Sequence, residues 1–310
     1  MSLDFWIGVA VVAGIYGIFT LGLQLNAGFT GILNFGQAGF MAIGAYTAGL
    51  LVVERGWSFW AALSVGTLAA ILAGLLVGVT SLRLRADYFA IATIAFAEIV
   101  RDVAQNAEFT GGNQGLMGYE RDWRRVADWM LARFGAIGLG DQIQLPLLVL
   151  VWVAFFAVLV FLEWLRRTPW GRLLRAVRED EDAARSVGKN VFLCKLQSLA
   201  LAAAIASVAG YLLALDVNLL YPSAFEPTFT FLGYAILVLG GFASYRGVMA
   251  GTVVLWTLLE GTRLVEWPLT AEQVAALRFI IVGLVLMLLM AFRPQGLFGR
   301  RQELEVSRRA

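Results

Sequence analysis

The sequence predicts an all-α integral membrane protein, a polytopic helical bundle of about nine crossings with a broken or re-entrant segment after the first span. Three observations lead to this fold class. Of the 310 residues, 60% are hydrophobic and only 15% are charged, whereas a soluble domain has about 25% charged residues. Long apolar segments recur along the whole chain, and the first of them is too long for a single crossing.

The first apolar segment, Phe5–Val53, contains no charged residue. With a rise of ~1.5 Å per residue, one helix of that length would far exceed a bilayer. The chain must therefore cross, turn and cross again, and we place the turn in the most polar and glycine-rich part, Gln24–Gly39. No linker rich in proline and serine follows, so we expect one transmembrane domain over residues 1–310. The other predicted spans are Ser58–Leu82, Tyr88–Gln105, Ile143–Leu162, Leu196–Leu215, Pro227–Tyr245, Gly247–Trp267 and Gln273–Phe292.

Basic residues in the loops set the predicted orientation, because arginine and lysine concentrate on the cytoplasmic side of a membrane. Residues 165–190 carry seven basic residues, and the tail, 293–310, carries more arginines. Four predicted crossings separate these two segments, so both can be cytoplasmic. Counting back then places the N-terminus and the loop 106–142 outside. We expect a multi-pass membrane protein with both basic segments in the cytoplasm.

The composition excludes several classes of function. The chain has no histidine and one cysteine, Cys194, so a Ser-His-Asp triad, a histidine-ligated metal site and a disulfide framework are ruled out. We therefore predict no catalytic residue, no metal and no cofactor. The only Gly-Lys pair, Gly188-Lys189, lacks the upstream glycine and the following Ser or Thr of a P-loop. The basic residues form no separate face of the kind that binds nucleic acid.

The segment Gly28–Phe40 combines glycines and polar side chains between two uncharged spans. Backbone that leaves the helix at membrane depth is tolerated only where protein or a water-filled cavity satisfies it. Broken helices of this kind often form substrate sites, since free backbone groups and half-helix ends face the ligand. The alternative is an ordinary short turn at the membrane interface. The candidate substrate-pathway residues are Thr30, Asn34, Gln37 and Tyr46.

The basic loop predicts two short helices. Thr168-Pro169 is a typical helix start, with an N-cap residue before proline at the first helical position. Trp170, Leu173, Leu174 and Val177 follow at helical spacing, which predicts a surface helix with an apolar face and an opposite face bearing Arg172, Arg175 and Arg178. A second helix begins in the acidic run Glu179–Asp182 and ends at Gly188. The alternative is a charged, solvated connection between spans.

Charged and amphipathic segments elsewhere have simpler explanations. Glu98 with Arg101, and Glu260 with Arg263, are each three residues apart on one helix, so each pair can neutralise itself. In the outer loop, Trp123, Val126, Trp129 and Met130 follow helical spacing and predict a surface helix. With the polar stretch 110–115, this helix could receive a binding protein or merely anchor the loop at the interface.

Several motifs resemble one transporter family. Asp182-Ala183-Ala184 followed by Gly188 resembles the EAA-x3-G signature of ABC importer permeases, although Asp replaces Glu and the usual Ile-x-Leu-Pro continuation is absent. Residues 28–40 with Gly44-Ala45-Tyr46, and the segments 167–172, 239–241 and 292–299, are similar to the LivM/LivH type of branched-chain amino acid permease.

This resemblance implies a permease subunit that pairs with a second permease, in a heterodimer or a homodimer, and with two cytoplasmic ATP-binding subunits. An extracytoplasmic solute-binding protein would deliver a branched-chain amino acid or a related small polar solute. The alternatives are an ion-driven secondary transporter, which explains the two-helix loop poorly, and a membrane-embedded enzyme, which lacks a catalytic cluster. The residues of the implied ATPase-coupling loop are Arg172, Arg175, Glu179, Asp182, Ala183, Ala184 and Gly188.

Overall fold

The computed structural model describes residues 3–135, 142–262, 270–293 and 295–298. Arg263, the predicted partner of Glu260, lies outside these residues, as does most of the tail 293–310. Apart from one bridge between Leu116 and Leu220, all regular structure in the described part is helical. The helices are α1 Leu3–Leu23, α2 Gln37–Arg55, α3 Phe59–Ser81, α4 Ala86–Asn106, α5 Arg121–Gly135, α6 Leu145–Arg167, α7 Pro169–Glu179, α8 Glu181–Ser186, α9 Val191–Val217, α10 Pro227–Gly240, α11 Tyr245–Gly261 and α12 Ala271–Phe292.

Six helices in the described residues are long and apolar enough to cross a membrane: α1 with its continuation to Thr30, α2, α3, α6, α9, and α10 with the short turn before it. The helices α4, α11 and α12 occupy the other three predicted spans. Large apolar side chains also cover the outside of the bundle, and Leu76 and Met287 are each 66% exposed. A surface of this kind requires lipid around it, which confirms the all-α polytopic membrane fold.

The first long apolar segment is broken where the sequence predicts. The helix α1 continues as a π-helix, Gln24–Thr30, and ends at Gly31, which has a φ of 77° that favours glycine. The chain is non-helical through Gly36 and re-enters a helix at Gln37. The Gln37 side chain is fully buried and packs against Gly22, one residue before the end of α1. The second span therefore begins inside the bundle rather than at its edge.

Neighbouring contacts give the direction of each helix. The helix α1 runs parallel to α6, because contacts follow the same order along both: Gly8 with Gln144, Gly14 with Val151, and Gly17 with Phe155. The helix α10 also runs parallel to α1, since Tyr16 stacks on Phe229 while Gln24 reaches Gly241. The C-terminal ends of α1, α6 and α10 thus lie together with α7 and α8, at what we call the basic end of the bundle.

Small residues allow α2, α3 and α9 to approach closely. Gly44 faces Ser207, and Gly66 faces the Gly44 carbonyl. Gly74 packs against Ala203. Of the two GxxxG motifs, Gly74/Gly78 lies against α9 and Gly247/Gly251 against α10, so both serve packing within the chain.

The close packing at Gly66 gives a stability prediction. A Cβ at this position would lie 2.5 Å from the Gly44 carbonyl oxygen. We expect Gly66→Ala to lower the unfolding free energy by about 1–3 kcal/mol, because backbone must shift to make room. The matched control is Gly283→Ala on α12, where a Cβ would meet nothing within 4 Å. Equal thermal stability of the two purified variants would contradict the packing described here.

Candidate functional site

The broken span holds a cluster of polar side chains in the interior of the bundle. Gln24, Asn26, Thr30, Asn34 and Gln37 each have at most 1% of their surface exposed. A polar group removed from water is costly unless it is hydrogen-bonded. Each of these side chains therefore needs a hydrogen-bond partner inside the protein.

Thr30 closes the end of the π-helix. Its hydroxyl donates to the Leu25 carbonyl at 2.9 Å and lies 2.7 Å from the Ser198 hydroxyl of α9. Ser198 in turn lies within donating distance of Asn26 Oδ1, at 3.1 Å. These contacts tie the irregular turn of the first span to α9.

Asn34 and Gln37 organise the start of α2. Asn34 Oδ1 accepts from the Gly36 backbone N–H at 2.9 Å, and its Nδ2 donates to Gln37 Oε1 at 2.9 Å. Gln37 Nε2 then donates to the Ala202 carbonyl of α9 at 3.0 Å. The helix start is thereby fixed by its own flanking side chains.

Two further side chains bond the backbone of the non-helical stretch. Thr93 Oγ1 of α4 accepts from the Phe35 N–H at 3.1 Å, and the Tyr234 hydroxyl of α10 donates to the Asn34 carbonyl at 3.0 Å. Sequence reasoning missed Thr93, Ser198 and Tyr234, because no local pattern marks which polar residues of α4, α9 and α10 face the break.

The structure brings together three of the four predicted pathway residues. Thr30, Asn34 and Gln37 belong to the broken span and are held by the hydrogen bonds described above. Tyr46 lies further along α2, where its ring contacts Phe225. Their role in substrate passage stays a prediction.

Several buried polar atoms near the break have no hydrogen-bond partner among the described residues. Such groups are few in native proteins and mark places where water, an ion or a ligand can bind. They are Thr20 Oγ1, Gln24 Oε1, Asn26 Nδ2, Tyr46 Oη and Thr230 Oγ1.

The basic loop forms the two predicted helices. Thr168 caps α7 by accepting from the Gly171 N–H, with Pro169 at the first helical position. Asp180 caps α8 by accepting from the N–H groups of Asp182 and Ala183, both at 2.9 Å. Gly188 follows α8 with a φ of 77°, as predicted for a terminating glycine.

The arginines of α7 do not share one solvent-facing side, which corrects the sequence prediction. Arg172 is exposed, whereas Arg175 is partly buried in a cleft beside α11. Arg178 reaches inward, donates to the Gly28 carbonyl and packs against Gly31. The loop is therefore attached directly to the broken span.

The helix α8 presents mostly exposed residues. Ala183 and Gly188 are exposed, and Val187 is 71% exposed although it is apolar. Ala184 is buried, and Lys195 of α9 pairs with Glu181. This helix is held to the bundle on one side and is open on the other.

The opposite end of the bundle carries the helix α5, as predicted from its amphipathic spacing. Tyr119, just before α5, donates its hydroxyl to the Ala214 carbonyl at 2.7 Å. Burial raises the pKa of Tyr119 far above its ordinary value, so this hydrogen bond persists at any physiological pH. The Glu98–Arg101 ion pair, predicted from spacing, forms at 2.6 Å.

These features define a multi-pass α-helical membrane protein whose interior is organised around a broken span, with a structured basic loop attached to it. The chain belongs to the family described as branched-chain amino acid transport system / permease component, whose family model matches residues 5–290.

Relatives of known description span nearly the whole chain. The high-affinity branched-chain amino acid transport system permease protein LivM of Escherichia coli K12 is 34% identical over 307 residues, covering 94% of this chain and 69% of the relative. The probable LivM of Methanocaldococcus jannaschii is 26% identical over 350 residues, covering 97% of this chain and 95% of the relative. LivH of Escherichia coli K12 is 26% identical over 315 residues, covering 92% of this chain and 91% of the relative. No solved structure matches the chain.

The Thr30 hydroxyl gives a second stability prediction. We expect Thr30→Val to lower the unfolding free energy by about 1–3 kcal/mol, because Ser198 loses its bonded neighbour in a water-free interior. The control is Thr80→Val on α3, whose hydroxyl accepts and donates only within its own helix and is largely exposed. Denaturation of both variants in the same detergent measures the difference, and an equal loss in the control would contradict a special role for Thr30.

Proposed function

We propose that this chain is the membrane-spanning permease subunit of an ATP-driven ABC importer. It would translocate a branched-chain amino acid or a related small polar solute, with ATP hydrolysed in separate subunits. One observation carries the proposal: Arg178 of the exposed basic loop donates to the Gly28 carbonyl inside the broken span. A force applied to the loop is thereby transmitted to the part of the bundle that departs from regular helix. Family membership and the LivM and LivH relatives support the choice of substrate.

The basic end of the bundle is the cytoplasmic side in this proposal. Arginines and lysines concentrate there, as expected for loops that stay in the cytoplasm. The membrane is then the bacterial inner membrane, and the residues 165–190 are the coupling loop. The opposite end, with α5 and residues 106–142, faces the extracytoplasmic solute-binding protein. A second permease, identical or related, completes the membrane part.

The coupling loop contacts an ATPase subunit through α8 and the exposed side of α7. Asp182, Ala183 and Gly188 supply an open, small-residue surface, and Arg172 and Glu179 supply exposed charges beside it. Ala184 is buried against the rest of the bundle, and Arg175 lines the cleft beside α11. Closure of the ATPases would displace α7 and, through Arg178, the π-helix. Such coupling requires two states of the bundle for which the ATPases have different affinities.

The substrate passes the break in α1 and α2, which is closed in this structure. Thr30, Asn34 and Gln37 are fully buried and use their polar atoms to seal the break. In the open state these amides and hydroxyls become available to the solute, together with Tyr46 and the unpartnered polar atoms of Thr20 and Thr230. Neutral donors and acceptors of this kind suit a small zwitterion or amide.

A change at Ala183 tests ATPase docking. Ala183 is exposed on α8, so Ala183→Arg leaves the bundle intact but places a bulky charge on the proposed contact. We expect loss of the ATPase subunit on co-purification and a fall of about tenfold or more in ATP-driven uptake, corresponding to about 1.4 kcal/mol of lost contact. The control for co-purification of the ATPase subunit is Ala132→Arg on α5, an exposed alanine at the end of the bundle that the ATPase does not contact.

Unimpaired uptake by the Ala183→Arg protein would mean that α8 is only a connection between spans. Uptake by vesicles that contain no ATPase subunit would reject the ABC importer and favour the ion-driven alternative.

A change at Arg178 tests transmission rather than docking. Arg178→Gln removes the charged hydrogen bond to the Gly28 carbonyl, which is worth about 1.5–3 kcal/mol. We expect the ATPase to remain bound and to hydrolyse ATP, while the solute transported per ATP falls by about tenfold. Arg83→Gln, which removes an exposed arginine lying over Phe192 outside the coupling loop, is the control. Parallel loss of ATPase binding in the Arg178 variant would reassign this residue to the docking surface.

A further inference from the structure

A cleft at the basic end collects four guanidinium groups around one carboxylate. Its volume is about 380 Å³, and it lies between the end of α6, α7, the α10–α11 connection and Phe298. The charged residues that line it are Arg166, Arg167, Arg175, Arg246 and Glu163.

The single carboxylate does not neutralise the positive charge of the cleft. Glu163 pairs with Arg166 and lies 3.7 Å from Arg167. Arg175 and Arg246 make no ion pair in the described part of the chain. The Nε atoms of Arg166 and Arg175 are buried, and no described residue supplies them with a hydrogen-bond acceptor. Guanidinium groups in this arrangement are suited to the oxygens of a phosphate group.

Two apolar stripes start at this cleft. On α6, exposed side chains at Trp164, Val160, Phe156 and Val153 lead away from Arg167 at intervals of about one helical turn. On α11, Met249 and Val253 lead away from Arg246 in the same manner. Both stripes rise along spans that flank α1, as Val151 and Thr252 show by their contacts with Gly14 and Gly17. An apolar surface on which acyl chains can lie therefore begins next to the arginines of the cleft.

We propose that this cleft binds the phosphate headgroup of an anionic phospholipid, whose acyl chains lie along the exposed stripes of α6 and α11. A basic pocket between spans at the cytoplasmic level is the expected form of an anionic-lipid site. A zwitterionic headgroup is disfavoured, because its ammonium group would meet four guanidiniums and only one carboxylate. The Trp164 side chain, 62% exposed beside the arginines, lies where an interfacial tryptophan is expected. The proposal does not depend on the transported solute.

Native mass spectrometry of the purified chain tests the site. The wild-type protein and Arg175→Gln/Arg246→Gln are titrated with phosphatidylglycerol and with phosphatidylcholine of the same acyl chains. We expect the double variant to bind phosphatidylglycerol roughly 30-fold more weakly, since each arginine near the surface contributes about fivefold, and to bind phosphatidylcholine unchanged. Arg121→Gln/Arg125→Gln, which removes two exposed arginines of α5, is the charge-matched control and retains wild-type binding.

Three results would overturn the proposal. The first is equal binding of both lipids by the wild-type chain, or undiminished phosphatidylglycerol binding by the double variant. The second is stabilisation by inorganic phosphate alone that matches the effect of the lipid, which would make the cleft a site for free anions. The third is retention of the lipid by monomers but not by dimers, which would assign the face to a second copy. If the double variant does not fold, Arg246→Gln alone gives the same comparison, because Arg246 is exposed at the start of α11.

Discussion

The fold depends on one constraint: backbone that leaves the helix inside a membrane must find its hydrogen bonds within the protein. The chain meets this constraint between Gln24 and Gly36, where a π-helix and a non-helical stretch replace ordinary α-helix. Side chains from three other helices converge there, namely Thr93, Ser198 and Tyr234. Loss of any one of them leaves a polar group unpaired where no lipid can replace it. The break therefore fixes how α4, α9 and α10 assemble around the first two spans.

This arrangement gives the proposed pathway residues a structural part as well. Asn34 and Gln37 fix the start of α2 through each other and through the Ala202 carbonyl. A set of hydrogen bonds can exchange one partner for another at small net cost, whereas a packed apolar contact is lost outright when it opens. Opening an apolar bundle at a polar break therefore costs less free energy than opening it at a packed apolar contact. It is also the part to which the basic loop is joined.

Sequence reasoning succeeded where local rules decide. The uncharged length of Phe5–Val53 demanded a turn, and glycine with polar residues marked its position. The caps at Thr168 and Gly188 followed from residue type alone. It failed where partners are distant in the chain: Arg178 and Gly28 are separated by 150 residues, and Thr30 and Ser198 by 168. No local pattern in the sequence contains such a pairing.

Helix geometry explains why the three arginines of α7 reach three environments. At 3.6 residues per turn, a step of three residues falls short of a full turn by about 60°, so three such residues spread over about 120°. Arg172 meets solvent, Arg175 enters the cleft beside α11, and Arg178 meets the broken span. One short helix thereby connects an exposed surface, an anion-attracting cleft and the break. A displacement of α7 would change all three contacts together, so under the two proposals occupancy of the cleft and opening of the break would be linked through a single element.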